Sequence, residues 1–383
     1  MGAPQINISF IEKARSIFKR ADRGIVGLVL KDNVPSPDKK EFTVQFIDDI
    51  PEYLSDFNKE QIKLALLGNV TSPKKVVCYV MNNTGSGANN DDEDEPSNTL
   101  TEMYKEARAW IRKTKIHFLA MPTVATDGML SDMVMFVKEE INVNKNKIMA
   151  VFPFTNTEDS EGIIGCDFTA YTTEDTHTAV SGTYTAEEYC SRIAGYIAGT
   201  PFTQSIAYGT LNDLSDCNRL TIAEQDAAVD GGKLVLMHDG EKVKIVRGVN
   251  TFKTTTKTKG DSFKKIKIVN IMNLIYDDLM KSIRDDYIGK FNNDYDDKCI
   301  LITAINSYFM NLVTQSIIVR GEAQIDIEAQ RNHLRMKGED VTEMSDKEIL
   351  EGDTGSIVYL TGNVFIPDAI EDIEFPIYLK EVL

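Results

Sequence analysis

Between residues 99 and 198, short apolar runs alternate with stretches whose apolar side chains recur at helical spacing, and few architectures accept that order. Leu100, Tyr104, Ala107 and Ile111 share one face of a helix predicted to run to Lys115. A strand over 116–121 follows, then a helix over 131–140 and a strand over 147–152. After a turn-rich stretch come a strand over 163–170 and a helix over 185–198. Strands alternating with helices of this length imply parallel crossovers, hence an α/β sheet covered on both faces. Thr99 with Glu102, and Thr185 with Glu188, have capping-box spacing at the helix heads.

Flanking stretches extend this block. In 233–254, Leu234 and Leu236, then Val243 and Ile245, alternate on either side of His238-Asp239-Gly240, which predicts a hairpin with an Asp-Gly turn. Before it, Thr221 with Glu224 heads a short helix that runs to Val229 and stops at Gly231-Gly232. On the N-terminal side, 24–30 is a continuous apolar run, as in a strand buried on both faces. With a strand over 42–47, a helix near 59–67 and a strand over 75–80, it makes a small α/β unit. That unit ends at 82–98, whose acidic run Asp91-Asp-Glu-Asp-Glu95 lacks calcium-loop spacing and reads as an exposed, self-repelling loop. C-terminal to the block, Ile271, Ile275, Leu279, Ile283 and Tyr287 stripe one helix, and Ile302, Ile305, Phe309, Leu312 and Val313 stripe a second over 296–317. Ser345 with Glu348 caps a short helix, and strands are predicted over 356–361 and 363–366.

Composition excludes several roles. A net charge of -17 disfavours a general role on DNA or on an anionic membrane surface. No stretch approaches the roughly 18 apolar residues a spanning helix needs, and no early apolar run resembles a signal peptide, so the protein is expected in the cytosol. The five cysteines lack CxxC spacing and the four histidines lack HExxH spacing, so free thiols are expected and no metal site. His117 reads as a satisfied core residue, and phosphate-cradling glycine motifs are missing.

Both ends are short amphipathic strands. Ile6, Ile8 and Phe10 alternate near the start, and Ile373, Phe375, Ile377 and Leu379 share a face near the end. Pro376 cannot donate to a ladder, which makes the last strand an edge or an added strand, a candidate for completing a neighbour's sheet. A basic stretch in this acidic chain, Lys253, Lys257, Lys259, Lys264, Lys265 and Lys267, reads either as a solvated strand and turn or as a docking surface for an acidic partner.

The order of helix, glycine stop, hairpin and Val246-Arg247-Gly248-Val249-Asn250-Thr251 closely resembles the central signature of contractile-tail sheath proteins. Arg23-Gly24-Ile25-Val26-Gly27, the link Tyr287-Ile288-Gly289-Lys290 and the closing run from Gly362 extend the resemblance over nearly the whole chain. It implies an α/β and α+β fold: a central subtilisin-like βαβ sheet domain (99–255), a smaller N-terminal α/β domain (23–98), an α+β C-terminal domain (256–372), and strand arms at 1–22 and 373–383. It further implies a structural subunit that stacks in rings around an inner tail tube, meets a baseplate and a tail terminator, and contracts to drive the tube through a cell envelope. It also implies no cofactor, no nucleic-acid partner and no membrane insertion. The expected location is a virion tail or phage-tail-like particle assembled in the bacterial cytoplasm. Ile6, Ile8, Phe10, Ile373, Phe375, Ile377 and Leu379 would be inter-subunit strands, with Lys253, Lys257, Lys264 and Lys267 as candidate contacts to the tube or a neighbour. The competing reading is an α/β hydrolase on the same sheet, but no GxSxG elbow is present and Gly199-Thr200-Pro201 offers no serine.

Overall fold

The computed structural model describes residues 23–82, 100–173 and 182–379. Among these, two compact units form, one from 23–274 with 368–379 and the other from 275–367. The larger begins with β1 (Ile25–Asp32), β2 (Glu41–Val44), α1 (Asp56–Leu67), β3 (Lys75–Asn82), α2 (Leu100–Lys113), β4 (Phe118–Ala120), α3 (Leu130–Asn142) and β5 (Met149–Pro153). It continues through β6 (Ile163–Cys166), β7 (Thr169–Thr172), β8 (Gly182–Thr185), α4 (Ala186–Ala198), β9 (Asp216–Cys217) and α5 (Ile222–Asp230). Then come β10 (Lys233–Leu234), β11 (Leu236–His238), β12 (Val243–Ile245) and the start of α6 (Ile266–Asp286).

Seven strands form one sheet in the order β10-β6-β5-β4-β1-β3-β2, parallel except for β2 at the edge. Counting parallel strands alone, the chain starts in the middle, adds one neighbour on one side and the remainder on the other. That is the doubly wound order of flavodoxin-like sheets with one strand more. The alternation of β1 explains how it is covered: Val26, Leu28 and Leu30 face Ile62 and Ala65 of α1 and Tyr189 and Ile193 of α4. Ile25 and Val29 face Tyr104 and Ile111 of α2 and Met133 and Val137 of α3. The expected separate unit at 23–98 is part of this sheet, because β1 pairs with both β3 and β4. A boundary at 98/99 therefore divides no core.

Two buried polar groups inside this unit find partners across elements. At β4, His117 accepts the Ile25 N–H at Nδ1 (3.2 Å); burial first, then Arg23, Lys115 and Lys75, push its pKa down to about 2, so the ring is neutral. Buried Arg192 of α4 donates to Asp213 (3.0 Å) and to the Gly68 carbonyl (2.6 Å), and the Tyr189 hydroxyl donates to the other Asp213 oxygen. Helices α1 and α4 touch closely: a Cβ on Gly195 would lie 2.0 Å from the Ala65 carbonyl oxygen.

Several elements differ from the sequence-based expectation. The strand over 163–170 is two strands, because the chain leaves the parallel sheet at Asp167, where Lys233 holds the carboxylate (2.8 Å). It then enters a three-stranded antiparallel sheet ordered β8-β7-β9. Thr185 with Glu188 and Thr221 with Glu224 form full capping boxes, whereas Thr99 lies outside the described residues.

The smaller unit holds the end of α6, then α7 (Tyr295–Thr314), β13 (Arg320–Ile325), α8 (Ile327–Lys337), α9 (Asp346–Glu351) and β14 (Leu360–Phe365). As a compact unit it starts at 275, because Ile266 and Val269 pack in the core of the larger unit and Asn270 accepts from Arg23 (2.8 Å). Ile305, Phe309 and Leu312 of the α7 stripe are buried, while Val313 at its end is exposed. The two strands predicted at 356–366 are one, β14, antiparallel to β13 with Gly362 opposite Ala323. The side chain of Gln330 on α8 donates to the Ile349 and Leu350 carbonyls (2.6 and 2.9 Å), fixing α9 against it.

Gly195→Ala tests the close helix contact. An alanine at an exposed helix position would stabilise, but here the added methyl meets backbone, so we expect a loss of about 1–3 kcal/mol in urea unfolding.

Candidate interaction surface

The motif 246–251 forms a seam between the hairpin and the sheet. Strands β11 and β12 pair through His238 and Val243, and the Asp239 carboxylate is held well below its usual range by Lys244 and the turn amides of Lys242 and Glu241. Beyond the hairpin, the Asn250 side chain donates to the Glu161 and Phe263 carbonyls (3.1 and 2.7 Å) and accepts from the Phe252 amide (3.0 Å). Thr251 donates its hydroxyl to Ser160 (3.1 Å) and its amide to Ile163 (2.9 Å), which continues the edge of β6. Gly232, at φ +74°, leaves room for this run, since a Cβ there would lie 3.0 Å from the Asn250 carbonyl oxygen. Asn250 and Thr251 are thus clamps, and Arg247 is the residue of the motif that reaches outward.

Arg247 reaches the C-terminal segment. Its guanidinium donates to Asp372 (2.5 Å) and lies 3.8 Å from Glu371, which also accepts from Ser205 (3.0 Å). Lys265 pairs with Asp368, and half-buried Lys267 lies within the field of Asp368 and Glu371. Past Asp372 the chain belongs to no strand among the described residues: Ile373, Phe375, Ile377 and Leu379 are 80%, 78%, 71% and 94% exposed. A strand needs a ladder partner, and this segment has none within the described part of its own chain. Ile6, Ile8 and Phe10 lie outside the described residues.

The basic stretch is largely occupied within its own unit. The Lys253 ammonium sits 5.5 Å above the Phe154 ring and its amide donates to Asp159 (2.7 Å). Lys259 pairs with Glu161 (2.5 Å), Lys264 pairs with Asp261 (2.8 Å), and Lys257 is exposed. In the smaller unit β14 is almost wholly exposed, with Val364 and Phe365 toward solvent. Thr200, where the hydrolase reading sought a nucleophile, donates to the Tyr196 carbonyl (2.7 Å) and accepts from Asn69 (2.9 Å), so it finishes α4. Among the described residues no group of His, Cys, Asp or Glu is arranged to hold a metal, and no helix is long and apolar enough to cross a membrane. Sequence reasoning missed Arg247, Ser205, Asp368, Glu371 and Asp372 as a cluster. The available signal was three carboxylates within 368–372, immediately before an apolar alternation.

Comparison with known proteins follows the same span. The family described as phage tail sheath protein central domain matches residues 99–251, and phage tail sheath C-terminal domain matches 258–379. A tail sheath protein of Clostridium phage phiCD119 is 33% identical over 385 residues, covering 99% of each chain. The crystal structure of a sheath tail protein from Desulfitobacterium hafniense superposes with a TM-score of 0.67 at 16% identity, covering 84% of this chain and 94% of that one. The helical sheath of the anti-feeding prophage in its contracted state gives 0.61 at 13% identity, covering 98% and 99%. The last two are likenesses of fold.

Asn250→Ala removes two donors and an acceptor from a fully buried seam, leaving two carbonyls and an amide without that partner. We expect about 1–3 kcal/mol of destabilisation, read as a lower urea midpoint with an unchanged slope.

Proposed function

The chain belongs to the phage tail sheath family, and on that premise we propose that it is the repeating subunit of a contractile sheath, polymerised helically around an inner tube that the sheath drives through a cell envelope on contraction. It is a structural protein and not an enzyme. The observation that carries this is the end-to-end match to the clostridial phage sheath protein, at 33% identity over 99% of both chains. Self-association is the core of the reading. The inner tube, the baseplate and the terminator are proposed partners, and assembly in the host cytoplasm before release is the proposed setting. The subtilisin-like description of the central sheet is likewise a proposal about ancestry of topology.

Residues 373–379 are proposed to join the sheet of another copy. What supports this is a row of apolar side chains with no ladder partner among the described residues, together with a β13–β14 ribbon in the smaller unit of each copy that has only two strands. Two strands alone are marginal, and added strands complete them. Residues 1–22 are proposed as the second arm on sequence pattern. Lys257 is the most accessible of the proposed tube or neighbour contacts; Lys253, Lys264 and Lys267 would have to share their present partners. Such an assembly stores its energy in two packings of the same rigid bodies, with the arms keeping neighbours connected during the exchange.

Deletion of 373–383, and separately of 1–11, should yield folded protein that stays in the supernatant on ultracentrifugation and forms no tubes in negative stain. Tubes formed by either deletion would remove that arm from the mesh.

A further inference from the structure

We propose that Arg247, Lys265 and Lys267 form an electrostatic latch for Asp368, Glu371 and Asp372, and that this latch sets the point and direction at which the terminal apolar segment leaves the larger unit. The inference rests on the reading of 373–379 as a donated strand and adds what positions it.

Three carboxylates within 368–372 meet three cations drawn from two different stretches. Glu371 is the most enclosed, its side chain 10% exposed, and it takes both the Ser205 hydroxyl (3.0 Å) and the flank of Arg247 (3.8 Å). Arg247 spans two neighbouring carboxylates through its Nε and Nη2 atoms, a fork that a lysine could not supply. At the other end Lys265 holds Asp368, and Lys267, disfavoured as a cation by burial, is supported by Asp368 and Glu371. The hydrogen bond to Asp372 raises the already high pKa of Arg247, and Asp368 is lowered because hydrogen bonds from Lys265 and the Ala369 amide outweigh its burial. Ile370, between the latch carboxylates, already faces solvent (87% exposed), and the alternating apolar row 373–379 starts directly after the last latch contact at Asp372. Isolated exposed pairs contribute little, but these are joined in one network whose members lose their alignment together. Being partly exposed, they are screened by salt.

The test uses the full-length protein and a zero-length carbodiimide cross-link between the Lys265 ammonium and the Asp368 carboxylate, quantified by mass spectrometry. Arg247→Glu alters neither cross-linked residue, yet release of the segment should lower the cross-link yield at least fivefold and reduce pelleted tubes to a similar degree. The swap Arg247→Glu with Asp372→Arg should restore both, and raising NaCl from 0.1 to 1 M should lower the wild-type yield at unchanged circular dichroism. Wild-type cross-linking in Arg247→Glu, or a swap that restores neither readout, overturns the latch. If deleting 373–383 leaves tubes intact, the donated-strand reading falls; if that deletion stops assembly while Arg247→Glu cross-links and assembles normally, the latch alone falls.

Discussion

A parallel sheet hides both of its faces, and that requirement governs the larger unit. Every buried amide of β1 must find a ladder partner, and every side chain of β1 must find a helix on one side or the other. The chain meets both needs by starting in the middle of the sheet and winding outward in two directions, so that α1 and α4 cover one face and α2 and α3 the other. The close approach of α1 to α4 at Gly195, and the buried Arg192–Asp213 pair that reaches the Gly68 carbonyl, accompany the packing of two helices side by side on one face of the sheet.

A well-packed core with an exposed apolar segment at 373–379 suits a subunit whose work is done between copies. No chemistry has to be housed, so polar side chains at the seam are spent on holding backbone: Asn250 and Thr251 tie the hairpin to the sheet, and Arg247 turns the other way to hold the returning C-terminal segment. In a protein of net charge -17, cations placed at one spot act as an address for a particular carboxylate run. The lysines of 253–267 serve this local purpose at Lys265 and Lys267 and neutralise nearby acids at Lys259 and Lys264.

Legibility in the sequence followed the strength of local signals. The block from α2 to α4 was readable because its helices carry clean apolar stripes and its parallel strands β4, β5 and β6 are almost wholly apolar, and the hairpin was readable from the Asp239-Gly240 turn. Strand β13 was not, since Arg320, Glu322 and Gln324 are exposed and only Ala323 and Ile325 are buried, leaving a pattern too polar to separate from a loop. Helix α8 buries just Gln330 and Leu334, so tertiary contact rather than periodicity decides it. Sheet membership was also hidden: nothing in the apolar run of β1 says that it pairs with β4 as well as β3, because long-range pairing is written in neither spacing nor composition. The Arg247 cluster failed for the same reason, its cations lying more than a hundred residues from the carboxylates they hold.

Pro376 gives the exposed terminal segment a polarity across its width. In an extended strand, successive amides point to opposite edges, so 375, 377 and 379 offer one unbroken row of donors while the row through 374 and 378 is interrupted at the proline. Whatever ribbon this segment joins, it can bond well on one flank and poorly on the other. On the proposed donated-strand reading, such a segment would close a sheet instead of passing the pairing onward, a guard against indefinite side-by-side stacking of a surface this apolar.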